Sequence, residues 1–137
     1  MRLIIVGTAR CVWDDLSRSN LLSADIMAIN DMICHYPFHL DYAFSLNKEM
    51  LNNWVEARQF PGKPEKHSKH VPHVKSSGMN AVYCGLDLGY DEIIVCGVPL
   101  DNSGHYFDPP WKKTRFNRNA GQKFDERVTF VSGRCSW

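Results

Sequence analysis

Leu3-Ile4-Ile5-Val6-Gly7 is an unbroken run of branched apolar side chains closed by a glycine. A strand with one wet face alternates apolar and polar residues, so a continuous apolar run signals burial on both faces, as in a central strand of a parallel sheet. Glu92-Ile93-Ile94-Val95-Cys96-Gly97-Val98 repeats the pattern, and Arg127-Val128-Thr129-Phe130-Val131 is rich in β-branched residues. Asp25-Ile26-Met27-Ala28-Ile29-Asn30 and Tyr42-Ala43-Phe44-Ser45-Leu46 supply two shorter runs.

Helical periodicity occupies the intervals. In residues 47–55, Met50, Leu51, Trp54 and Val55 form one stripe behind a candidate N-cap, Asn47. From Gly78 to Leu88, Met79, Val82, Tyr83 and Leu86 recur at the helical period, with Ser77 as cap and Gly89 where a left-handed end is expected. This alternation predicts an α/β fold: a single Rossmann-like domain over residues 1–137, with a mostly parallel sheet of about five strands and helices on both faces.

The 137-residue length suits one core and leaves no room for a second domain of ordinary size. Its apolar N-terminal run is too short for a signal-peptide core or a membrane span. Five cysteines without CxxC spacing suit a reducing compartment, so a cytoplasmic protein without membrane contact is expected. The formal net charge of +1 speaks against wholesale nucleic-acid binding. It is unevenly spread: residues 1–107 hold 9 Lys+Arg against 12 Asp+Glu, whereas residues 108–137 hold 7 against 3. That basic tail could dock a partner or a second copy of the chain, which keeps a homo-oligomer open.

Two stretches break the alternation. Residues 58–76 carry three prolines, five Lys/Arg and three histidines and read as an exposed loop free to move; residues 99–123 form a second long loop. Within the second, Trp111, Lys112, Lys113, Arg115, Phe116 and Arg118 interleave rings with cations, a pattern that can stack a base and neutralise phosphate.

Ligands of parallel α/β sheets sit beyond the carboxyl ends of the strands. There the chain offers Gly7 and Thr8, Asn30 and Asp31, Ser45, Ser76-Ser77-Gly78 before the long helix, and Pro99 to Asn102. Small and amide-bearing residues let main-chain N–H groups approach phosphates and ribose, and the same residues also make ordinary caps and turns. Neither G-x-G-x-x-G nor G-x-x-x-x-G-K-[ST] occurs, which removes the common dinucleotide and P-loop classes.

Several stretches, taken in order, carry a resemblance. They are Val6-Gly7-Thr8-Ala9-Arg10, Asp25 to Asn30, Ser76-Ser77-Gly78-Met79-Asn80-Ala81, Leu88-Gly89-Tyr90-Asp91-Glu92-Ile93, Cys96-Gly97-Val98 and His105-Tyr106-Phe107-Asp108. The series resembles the bacterial sialyltransferases of glycosyltransferase family 42, and it is similar to the 6-hydroxymethylpterin pyrophosphokinase-like proteins of related fold. The resemblance implies a cytidine nucleotide-sugar site in which Gly7, Asn30, Ser76, Ser77, Gly78 and Tyr106 meet the nucleotide. The chain departs from the family where Gly-Asn/Ser-Gly-Pro-Ser is replaced by Gly7-Thr8-Ala9-Arg10-Cys11. The family's helical acceptor lid has as its counterpart only the loop 58–76.

The family places a base in roughly this segment, so His67, His70 or His73 is a candidate to deprotonate an attacking hydroxyl. A solvated basic loop explains the same histidines. His105 could meet a phosphate, while His35 and His39 read as packing residues. No zinc set is expected; Mg²⁺ on a diphosphate is the one metal that Asp31, Asp101 and Asp108 could serve, if they converge. Two functions follow. One is transfer or hydrolysis at the phosphate of a bound nucleotide sugar, and the other is a non-catalytic nucleotide binder, a sensor, sponge or regulatory subunit that lacks the acceptor lid.

Overall fold

The computed structural model describes residues 1–19, 21, 23–74, 76–98, 106–107 and 126–131. Its elements are β1 (Arg2–Val6), α1 (Val12–Ser17), β2 (Ala24–Ile29), α2 (Met32–His35), β3 (Tyr42–Phe44), α3 (Lys48–Ala57), β4 (Glu65–His67), α4 (Ser77–Asp87), β5 (Glu92–Cys96) and β6 (Val128–Phe130). The strands form one six-stranded sheet in the order β4-β3-β2-β1-β5-β6, and every pairing is parallel. The α/β, Rossmann-like expectation holds.

Because side chains alternate across a strand, β1 feeds two cores. Ile4 and Val6 face a cluster with Val12 and Leu16 of α1, Met32 and Ile33 of α2 and Leu51 of α3. Leu3 and Ile5 face the other side, against Ala81, Val82 and Cys84 of α4. These four of the five β1 side chains are completely enclosed. Burying each contributes roughly 1.5–3 kcal/mol. The continuous apolar run is thus a consequence of helices on both faces.

Among the described residues there are six strands where five are expected, and the extra one lies inside the stretch read as a loop. Glu65-Lys66-His67 has no apolar pattern, because an edge strand paired only to β3 is held by its main chain. The rest of the stretch is also tied down. Asn80 of α4 is fully buried; its Oδ1 accepts from Val71 N–H at 2.6 Å, and its Nδ2 donates to the Val74 and Ser76 carbonyls at 2.9 Å. Arg58, counted among the loop's solvated cations, is buried and donates to the carbonyls of Ile33, Tyr36 and Phe38 at the end of α2.

Two helices had no readable signal. α1 has 6 residues and α2 has 4, too short to show a full apolar stripe. The cap of α4 falls one residue earlier than expected, since Ser76 Oγ accepts from Met79 N–H. Asn47 caps α3 as read, with Oδ1 accepting from Met50 N–H at 3.1 Å. Gly89 takes its left-handed turn at φ +93°. Among the described residues, no helix is long and apolar enough to cross a membrane.

Candidate functional site

From β1 the chain steps outward to β2, β3 and β4, then returns to place β5 on the other side of β1. The strand order therefore reverses between β1 and β5. In such sheets the crevice at the carboxyl end of that pair is the usual ligand position.

The turn after β1 is drawn tightly against the turn after β5. Gly7 N–H donates to the Cys96 carbonyl at 2.8 Å and Ala9 N–H to the Gly97 carbonyl at 3.1 Å. A Cβ on Gly7 would collide with the Gly97 carbonyl and lie 2.8 Å from Val98 Cγ2, while one on Gly78 would lie 2.7 Å from Val98 Cγ1. Val98 thus sits between the β1 turn and the start of α4, and both glycines are needed for that fit. Gly97 itself has φ +68°, and a Cβ there would stand 2.6 Å from Val12 Cβ.

Asp15, absent from the sequence-based candidates, holds this corner. It is fully buried on α1, where Val12 and Leu16 mark the apolar stripe, and its Oδ2 accepts from Gly97 N–H at 2.9 Å. Oδ1 lies 3.2 Å from the Arg18 guanidinium. An acid one position before Leu16, on the inner face of a helix, is the signal that could have revealed it.

Tyr106 closes over the β1 turn. Its N–H donates to the Thr8 carbonyl at 2.8 Å, and its half-buried ring meets Trp13 edge-on at 5.4 Å and His35 edge-on at 6.0 Å. Phe107 stacks on His35 at 4.9 Å with 17° between planes. Burial raises the Tyr106 phenol above its ordinary value, so it stays a hydrogen-bond donor at neutral pH. On the neighbouring strand end, Asn30 adopts φ +52° while its N–H donates to the Phe44 carbonyl at 3.0 Å, and Asp31 takes the cap position of α2.

The structure sets Gly7 and Gly78 against Val98 and Tyr106 against Thr8 in the β1 turn, with Asn30 and Asp31 at the next strand end. Ser76 and Ser77 open α4 beside Gly78. Ser45 is farther out and buried, its hydroxyl accepting from Asn47 N–H at 3.1 Å.

Of the histidine candidates, His67 lies apart from this group. β4 lies three strands from β1, about 14 Å at roughly 4.8 Å per strand. There His67 Nε2 is enclosed 3.0 Å from Glu65 Oε1, out of line for a hydrogen bond. His70 Nε2 lies 2.7 Å from the Val74 carbonyl, which can only accept and so fixes the proton on that nitrogen. His73 sits with φ +68° in a turn closed by Val74 N–H to the Val71 carbonyl at 3.1 Å. His105, Asp101, Asp108 and the ring-and-cation stretch 111–118 lie outside the described residues. His39 is exposed beside Asp41 rather than packed, and His35 is exposed as well but stacked on Phe107. Among the described residues, no three His, Cys, Asp or Glu side chains are arranged to hold a metal ion.

No family model, curated protein or solved structure matches this chain. The geometry of the carboxyl edge therefore carries the functional reading.

Proposed function

We propose that the carboxyl edge of the sheet binds a nucleotide or nucleotide sugar. The observation that carries this reading is the bond from Tyr106 N–H to the Thr8 carbonyl, which brings the turn after β1 and the segment after β5 together over the β1–β5 crevice. Gly7 and Ala9 amides are already engaged across that crevice, so they are poor phosphate donors. The phosphates instead face the first-turn amides of Ser77 and Gly78, where a helix start favours anions. Thr8 and Tyr106 hydroxyls donate to phosphate oxygens, and Asn30 and Asp31 lie toward the ribose.

Calorimetric titration with CMP, UMP, AMP and GMP tests this. At least one is expected to bind with Kd below about 1 mM, a free energy beyond roughly −4 kcal/mol. Absence of heat for all four at millimolar concentration overturns it.

Simple binding fits the placement of His67 on β4, three strands from β1, and of His70, whose Nε2 is tied to the Val74 carbonyl. A second reading, transfer or hydrolysis at the phosphate, is favoured by His73, an exposed imidazole on the loop that leads into α4. Long incubation of CMP-sialic acid with stoichiometric protein separates the two. Release of CMP that is lost in His73→Ala supports catalysis, and recovery of intact nucleotide sugar supports the binder.

A further inference from the structure

An exposed indole held in place by another ring is the feature of this edge that the nucleotide reading leaves unused. Trp13 belongs to α1, whose inward positions are Val12, Asp15 and Leu16, so its side chain takes no part in either core. It is 38% exposed, yet it is anchored by a T-shaped contact with the Tyr106 ring, centroids 5.4 Å apart. Tyr106 is in turn fixed through its own N–H to Thr8, one residue from Gly7. The indole consequently stands in the first turn of α1 at the carboxyl edge, buttressed by a ring that is bonded to the β1 turn.

We infer that Trp13 is the stacking surface for the planar base of the bound nucleotide. This rests on the nucleotide reading and adds what the site recognises: a ligand with an aromatic base, in preference to a bare sugar phosphate. The physics favours a flat partner. An indole is the largest π face among side chains, its position costs little conformational entropy once buttressed, and every base offers a π face of its own. Tyr106 serves both halves of the ligand, since its main chain secures the β1 turn and its ring secures the indole. Recognition through stacking is tolerant of sequence chemistry, so the four bases are bound within a narrow range.

The test compares ribose 5-phosphate with CMP, UMP, AMP and GMP on the wild-type chain and on Trp13→Ala, Trp13→Leu and Trp13→Phe. Wild type is expected to bind the nucleotides about tenfold or more tighter than ribose 5-phosphate, the range that stacking supplies. Trp13→Ala and Trp13→Leu should lower nucleotide affinity to the ribose 5-phosphate level without changing ribose 5-phosphate binding. Trp13→Phe should restore most of the preference. Because Trp13→Leu keeps an apolar side chain but removes the ring, its comparison with Trp13→Phe separates stacking from simple apolar contact. Equal nucleotide affinity in wild type and Trp13→Leu, or equal loss of both ligand types, overturns the inference while leaving the nucleotide reading intact. If neither ligand type binds the wild-type chain, both fall together.

Discussion

The two ends of the sheet are built from the same strands and treated in opposite ways. At the amino end, polar groups are matched to one another: Tyr90 Oη donates to Asp25 Oδ2 at 2.5 Å and lies 2.9 Å from Tyr42 Oη. The N-terminal ammonium pairs with Asp91 at 2.7 Å, Arg2 with Glu92 at 3.1 Å, and Asp41 Oδ2 accepts from Ile26 N–H at 2.9 Å. At the carboxyl end, large rings stay partly open, Trp13 at 38% and Phe107 at 42%. Apolar side chains stay exposed at both ends, Met1, Leu21 and Leu88 at the first. The ends differ in that the first fastens the buried Tyr90 phenol to a carboxylate, while the second presents partly open aromatic rings whose covering by a ligand would be favourable.

The sharpest way to break this contrast is at Asp15, where stability and site meet. Asp15→Ala leaves the Gly97 N–H buried without its acceptor, so a loss of about 2–3 kcal/mol is expected in urea unfolding. Nucleotide affinity should fall in the same variant, because the β5 turn moves. If Asp15→Ala weakens neither, this corner is not the hinge between fold and site.

Tyr90→Phe probes the amino end alone. It removes a hydrogen bond to a carboxylate and should cost about 1.5–3 kcal/mol of stability while leaving nucleotide Kd unchanged. A changed Kd would erase the division between the two ends.

Alkaline titration gives a graded version of the same comparison. Burial pushes the Cys84 and Cys96 thiols from 9.0 up to about 11, and raises the Tyr90 phenol well above 10.0, helped by its bonds to Asp25 and Tyr42. Each folded pKa exceeds its unfolded value, so the unfolded chain releases these protons first. Stability is therefore full below about pH 9 and falls as pH rises toward 11. Urea midpoints measured across this range should show the fall, with a shallower slope above pH 10 in Tyr90→Phe.

The smallest expected effect is at His73. Relieving its φ of +68° with His73→Gly should stabilise the chain by about 0.5 kcal/mol. Unchanged nucleotide affinity would place the loop outside the site, and a lost CMP-releasing activity would place it inside.

Legibility followed the range of the interactions. β1 and β5 were readable because burial on both faces writes itself into consecutive residues, and α3 and α4 because a cap and a stripe lie within a few turns of each other. β4 was hidden since main-chain pairing leaves no mark on Glu65-Lys66-His67. Of the candidate site, Gly7 and Thr8 were named from a strand end, Gly78 from a helix start and Tyr106 from the resemblance alone, whereas Asp15, Trp13 and the stacked His35 were not named as site residues.

The apolar runs and caps by themselves determined an α/β chain with a parallel sheet, because those signals are local and periodic. Which loops meet was decided only by the order β4-β3-β2-β1-β5-β6, which returns the chain to β1 and sets Tyr106 beside Thr8 and Trp13. Contacts between residues so far apart in the chain depend on how the sheet is assembled, and no local pattern records that.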